Sequence, residues 1–560
     1  MTTIRRRSGL PIPALLALLA LACGPAAKAP EAARPEAAPA AGDAPRLLEG
    51  LGSHTFPITT GVARAQRYFD QGLALTYGFN HDAAERSFRE AARLDPSCAI
   101  CLWGAALALG ANINAPMGPE AGRKAWAAVQ EAARLAPGAS EKERALIEAL
   151  ALRYAEQPPE ERAALDLAYA EAMRGVHERW PEDIDVATLL AEALMDLYPW
   201  DYWISKDEPR EHTLEILALL EGVMARDPGH LGANHYYIHA TEEFHPEKGE
   251  PAADRLGALA PDAGHLVHMP SHIYWRVGRY ADALEINQRA AASDEAFFAT
   301  CRAGAFYRAL YYPHNIHFLW AAASAEGRSQ LALTAARKLA AETREGLDDL
   351  DFLQEFVAIP TLTLVRFGKW DSLLGEPAPA PERVYLVGIH HYARGIAYTR
   401  TGRLEEAQAE HRALRAAAER PQAQTLLLAG GTAPARELLE IGAAHLEGEL
   451  EAARGQTDRA VAALEQAVAR QDALVYMEPP PWYFPTRQAL GAVLLGAGRA
   501  AEAEAVYRAD LEHHPKNGWS LYGLARSLRS QGESSEADWA ERGFRNAWAR
   551  ADVELPASRF

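Results

Sequence analysis

Basic residues are in short supply. Lys and Arg number 57 against 75 Asp and Glu, a formal net charge of -18. A chain of that sign is poorly suited to releasing counterions from a phosphate backbone, which argues against nucleic acid as a partner. Also scarce is alternating apolar and polar sequence enriched in Val, Ile or Thr, so strands are not expected and the fold reads as all-α. There is no Walker loop, no G-x-S-x-G elbow and no H-E-x-x-H pair, so hydrolase chemistry lacks a nucleophile. Gly496 to Ala501 imitates a dinucleotide-binding fingerprint, but it follows helical sequence rather than a strand and is set aside. Cysteines number four. Cys98 and Cys101 form a C-x-x-C that reads as a local disulfide outside the cytoplasm, with redox activity as the alternative, and Cys301 reads as a buried free thiol.

The N-terminus has the layout of an export signal over residues 1–22: Arg5, Arg6 and Arg7, then an apolar run from Leu10 to Ala22 that is too short to span a bilayer. Cys23 after small residues resembles a bacterial lipoprotein signal. That resemblance implies lipidation of Cys23 and a membrane as partner, with the protein on the periplasmic face. Ala20-Leu21-Ala22 also fits ordinary cleavage, which would leave a secreted protein. Residues 23–50 are rich in Ala and Pro, cannot bury a core, and read as a tether.

The remainder is periodic. Gly72, Ala84, Phe88, Ala91 and Pro96 fall at positions 8, 20, 24, 27 and 32 of a 34-residue helix-turn-helix repeat. The register recurs at Gly278, Ala283 and Ala290, at Gly327 and Ala332, at Gly402 and Ala407, at Gly455, Ala460 and Ala467, and at Gly498, Ala503 and Tyr507. From about residue 65 to 550 the chain resembles the tetratricopeptide repeat superfamily. The resemblance implies a right-handed superhelical solenoid of about a dozen repeats. N-terminal repeats are expected over 51–228, central repeats over 229–346 and C-terminal repeats over 347–560. Insertions at Asn112 to Pro116, Tyr198 to Asp207, Gly375 to Glu382 and Glu478 to Phe484 interrupt the array; the second and the last, rich in Trp, Tyr and Pro, are placed to roof a groove.

Eight of the nineteen histidines lie between His235 and His317. In the family, positions 2, 5, 9 and 12 of the first helix line the concave groove. Counted in this register, His235, His239, His265, His268, His272, His314 and His317 all fall on that stripe, and Glu242 joins them. The spacings i, i+4 and i, i+3 stack imidazoles on one helix face. So many imidazoles suit copper, iron or zinc better than a hydrogen-bonding surface does. Glu242 and Glu355 are the candidate ligands or general bases, or alternatively acceptors behind an imidazole. Pro270 falls inside a predicted helix; a start near His268 would put it in the first turn and leave His265 just ahead of the helix. The expectation is an exported metal-binding solenoid, with a copper or iron oxidoreductase first and a metal-dependent hydrolase second. The alternative is a membrane-anchored scaffold holding an envelope protein or peptide in its groove.

Overall fold

The computed structural model describes residues 45–560; the expected signal, Cys23 and most of the tether lie outside the described residues. The described residues are helical apart from short segments that include two antiparallel pairs, Trp203–Ser205 with Glu208–Pro209 and Leu427–Leu428 with Ala433–Pro434. No helix among them is long and apolar enough to cross a membrane.

Consecutive helices pack as hairpins, Ala63–Tyr77 with His81–Leu94 and Val384–Arg400 with Leu404–Ala418 among them. The repeat's small residues explain the close approach. A Cβ on Gly72 would lie 2.8 Å from the Phe88 ring, and Ala84, Ala283, Ala332, Ala407, Ala460 and Ala503 are each wholly buried. Between the helices of five repeats, Gly278, Gly327, Gly402, Gly455 and Gly498 hold φ between 71° and 77°. This left-handed region is penalised for any residue with a Cβ. The first repeat breaks the rule: Phe79 stands at the same turn position, two residues before its second helix, with φ 54°.

Two compact units result. One comprises residues 343–497, the other residues 45–342 together with 498–560. The expected C-terminal block of 347–560 therefore divides. Its last repeats join the central ones, with Trp519 Nε1 donating to the Ser324 carbonyl at 3.0 Å and Asp552 accepting from the Ser329 amide at 2.7 Å. The end of the expected tether is fastened too, by polar bonds to its main chain rather than by apolar burial. Tyr68 Oη donates to the Pro45 carbonyl at 2.7 Å, and Gln71 bonds Arg46 and Leu48 at 3.0 and 2.8 Å.

Cys98 and Cys101 are joined in a disulfide. Cys301 is half-buried rather than buried. Helix Gly264–His268 passes into Pro270–Arg276 through a helical Met269, with φ -49° and ψ -37°. The proline removes one donor without stopping the chain from turning. His265 accordingly lies in the first turn of a helix, not ahead of one.

Candidate metal centre

All the candidate imidazoles sit in the unit of residues 45–342 and 498–560. His235 and His239 project from helix Leu231–Thr241, with Glu242 at its C-terminal cap. His265 and His268 come from Gly264–His268, His272 from Pro270–Arg276, and His314 from Tyr311–Ala325. Six of the seven form two trios, His235, His239 and His265, and His268, His272 and His314; within each, the ligating atoms lie within 4.8 Å of one another. The trios adjoin, with ring centroids 5.8 Å apart for His239 and His272 and 5.9 Å for His265 and His268. The seventh expected ligand, His317, belongs to neither. Its ring stacks on Trp320 at 5.3 Å. Glu355 lies in the 343–497 unit, where its Oε2 accepts the Ala429 amide at 2.6 Å and burial pushes its carboxyl up to about 7.

Proton bookkeeping shows what these rings offer. His235 Nδ1 is 2.6 Å from the carbonyl of Tyr77, the last residue of its helix, which can only accept. His268 Nδ1 is 2.6 Å from Asn287 Oδ1, and that amide's orientation is fixed because its Nδ2 donates to the Ala283 carbonyl at 2.7 Å. His239 Nδ1 is 3.1 Å from Glu242 Oε1, and His272 Nδ1 is 2.8 Å from the other oxygen, Oε2. The partners of His235, His239 and His268 are acceptors, so those three rings carry their proton on Nδ1 and bear a lone pair on Nε2. The Nε2 atoms of His268 and His272 face each other at 3.0 Å. Those of His235 and His239, and both nitrogens of His265, are buried without a protein partner. Each buried polar atom left so costs about 1–3 kcal/mol. Burial first, and the neighbouring imidazoles second, hold His235, His265, His268 and His314 well below their ordinary value. They are neutral at pH 7, which is the ligating form.

The walls are aromatic. The Phe79 ring lies 4.6 Å from His235 and 5.5 Å from His265, and Trp200 lies 4.9 Å from His239. Both residues hold left-handed backbone, φ 54° and 62°, at a cost of about 1–3 kcal/mol each. Trp200 Nε1 donates to Asn114 Oδ1 at 2.9 Å, so the insertions at 112–116 and 198–207 meet over the first trio. The roof expected of the second insertion is present.

A third cluster was not legible as a site. Asp185 Oδ1 lies 2.8 Å from His54 Nε2, 3.0 Å from Tyr77 Oη and 3.3 Å from His230 Nε2, beside a cavity of about 540 Å3. It has the composition of a two-histidine, one-carboxylate metal site. His230 is not set up as a ligand there. Its Nδ1 caps helix Leu231–Thr241 by accepting the Ala233 amide at 3.1 Å, which leaves the proton on Nε2, aimed at Asp185.

No family model and no curated protein matches the chain. Solved structures with some likeness include the APC/C hetero-tetramer Cut9-Hcn1, at 13% identity and TM-score 0.31 over 86% of this chain and 76% of that one. The human IFIT1 dimer with PPP-AAAA stands at 13% and 0.31 over 87% and 91%. A Rap protein complexed with Competence and Sporulation Factor stands at 11% and 0.35 over 69% and 93%. The fold is an all-α array of packed helical hairpins. The hairpin geometry carries that statement; likenesses this slight say nothing of function.

Proposed function

We propose that this protein is an exported metalloprotein whose paired imidazole trios each hold one metal ion, copper or iron before zinc, and that it works as an oxidoreductase. The observation that carries the reading is the gathering of six imidazoles into two adjoining trios, with Nε2 of His235 and His239 and both nitrogens of His265 buried without a hydrogen-bond partner. Tetrahedral zinc, at about 2.0–2.1 Å from each nitrogen, spaces its ligand nitrogens about 3.3 Å apart, so modest closure of each trio suffices.

Three protein nitrogens leave a fourth position open, the arrangement of catalytic rather than structural sites. Two adjacent copper or iron ions would supply a two-electron couple. This chain's own residues hold the Nδ1 protons, exclude water with Phe79 and Trp200, and fix the ring planes. Export rests on the N-terminal signal, and the disulfide between Cys98 and Cys101 supports an oxidising compartment. A repeat fold also suits a partner protein, and that role is compatible with a metal centre.

The test is elemental analysis of untagged protein purified from its own cell envelope. Two equivalents of copper, iron or zinc, lost on chelation and regained on reloading, are expected. No metal, and none taken up, would leave a scaffold.

A further inference from the structure

One carboxylate touches both trios. Glu242 Oε1 is 3.1 Å from Nδ1 of His239, in the first, and Oε2 is 2.8 Å from Nδ1 of His272, in the second. The other acceptors behind the rings each serve one trio: the Tyr77 carbonyl stands behind His235 and Asn287 behind His268. Glu242 is nearly inaccessible, at 1% exposure. Its main chain is pinned from the helix that carries His272, because Arg276 Nε donates to the Glu242 carbonyl at 3.2 Å and an Arg276 terminal nitrogen to the Glu243 carbonyl at 2.8 Å. The backbone is thus set so that the carboxylate spans the gap between the two sets of rings, with Oε1 hydrogen-bonded to His239 and Oε2 within ion-pair distance of His272.

We infer that Glu242 is a positioning residue common to both metal sites, one that fixes the tautomer and plane of one ligand in each trio, rather than a ligand or a general base. This rests on the proposed metal reading. A carboxylate that accepts Nδ1–H makes Nε2 a better donor and holds it on line; losing such a partner typically lowers metal affinity about 10- to 100-fold. Because the same side chain does this twice, its substitution weakens both sites at once. Substitution of Asn287 weakens only the second.

The experiment uses the full chain in two backgrounds that each retain one trio, His268→Ala with His314→Ala, and His235→Ala with His265→Ala. Co(II) is the probe, followed by its visible absorption and by calorimetry, with far-ultraviolet dichroism to confirm the fold. Glu242→Gln is expected to weaken Co(II) about 10- to 100-fold in both backgrounds and to shift the absorption bands in both, whereas Asn287→Ala does so only where the second trio remains. Should Glu242→Gln fail to fold, Glu242→Asp, one methylene too short to reach both rings, carries the same expectation. A loss in one background only, or in neither, overturns the inference while leaving the metal sites standing. Failure of the unsubstituted protein to bind Co(II), Cu(I) or Zn(II) overturns the metal reading, and this inference with it.

Discussion

Helix Leu231–Thr241 begins with one histidine used one way and continues with two used the opposite way. His230, at its N-cap, spends its Nδ1 lone pair on the Ala233 amide and points its proton at Asp185. His235 and His239, further along the helix, spend their Nδ1 protons on Tyr77 and Glu242 and keep the Nε2 lone pair. The Asp185 cluster is thereby a closed set of donors and acceptors, with His54, His230 and Tyr77 converging on one oxygen. The first trio is an open set, with Nε2 of His235 and His239 and both nitrogens of His265 left without a hydrogen-bond partner. The chemistry of the atom behind each ring separates the two regions.

The contrast breaks most sharply under paired substitution. His239→Ala with His272→Ala removes one ligand from each trio and is expected to take bound metal from two equivalents to none while helicity is kept, as measured by elemental analysis and dichroism. The same stoichiometry retained would mean that the ligands lie elsewhere. In the other region, His230→Ala should leave metal content unchanged and lower unfolding free energy by about 2 kcal/mol, from a lost helix cap and a buried Asp185 short of a donor. Denaturant titration reads that loss, and a fall in metal content would contradict the division drawn here.

A subtler effect follows from charge. Burial works against ionisation of Asp185, but bonds from His230 and His54 outweigh it and hold its carboxyl below the usual range. Burial likewise works against charging His54, and Asp185 outweighs it, so that its pKa is raised. Asp185 thus contributes stability above about pH 4 that is lost on acidification, and His54 contributes stability below about pH 6.5 that is lost as pH rises through its folded value. Asp185→Asn is expected to flatten the stability profile at both edges of that window. A profile unchanged by the substitution would show the cluster to be electrostatically idle.

Much of this was written in the sequence. Turn glycines at 278, 327, 402, 455 and 498 and buried alanines five residues on announced the hairpins, since steric demands of that kind are local. The imidazole stripe was equally visible, because i, i+4 spacing is a helical property. What the pattern could not show was how six rings would divide into two trios, or what stands behind them. The acceptor for His235 is a main-chain carbonyl, which has no residue signature, and Asn287 lies on the neighbouring helix at an unremarkable position. Phe79 did leave a signal. A phenylalanine at the position where five other repeats place glycine is a local cost, and its ring proves to be packed against His235 and His265.

The most direct measurement is anomalous diffraction at the metal edge from crystals of the reloaded protein. Two peaks are predicted, one about 2.0–2.2 Å from the imidazole nitrogens of His235, His239 and His265 and one at the same distance from those of His268, His272 and His314, with none at Asp185. A single peak beside His54 and Asp185, with the two trios empty, would contradict the account.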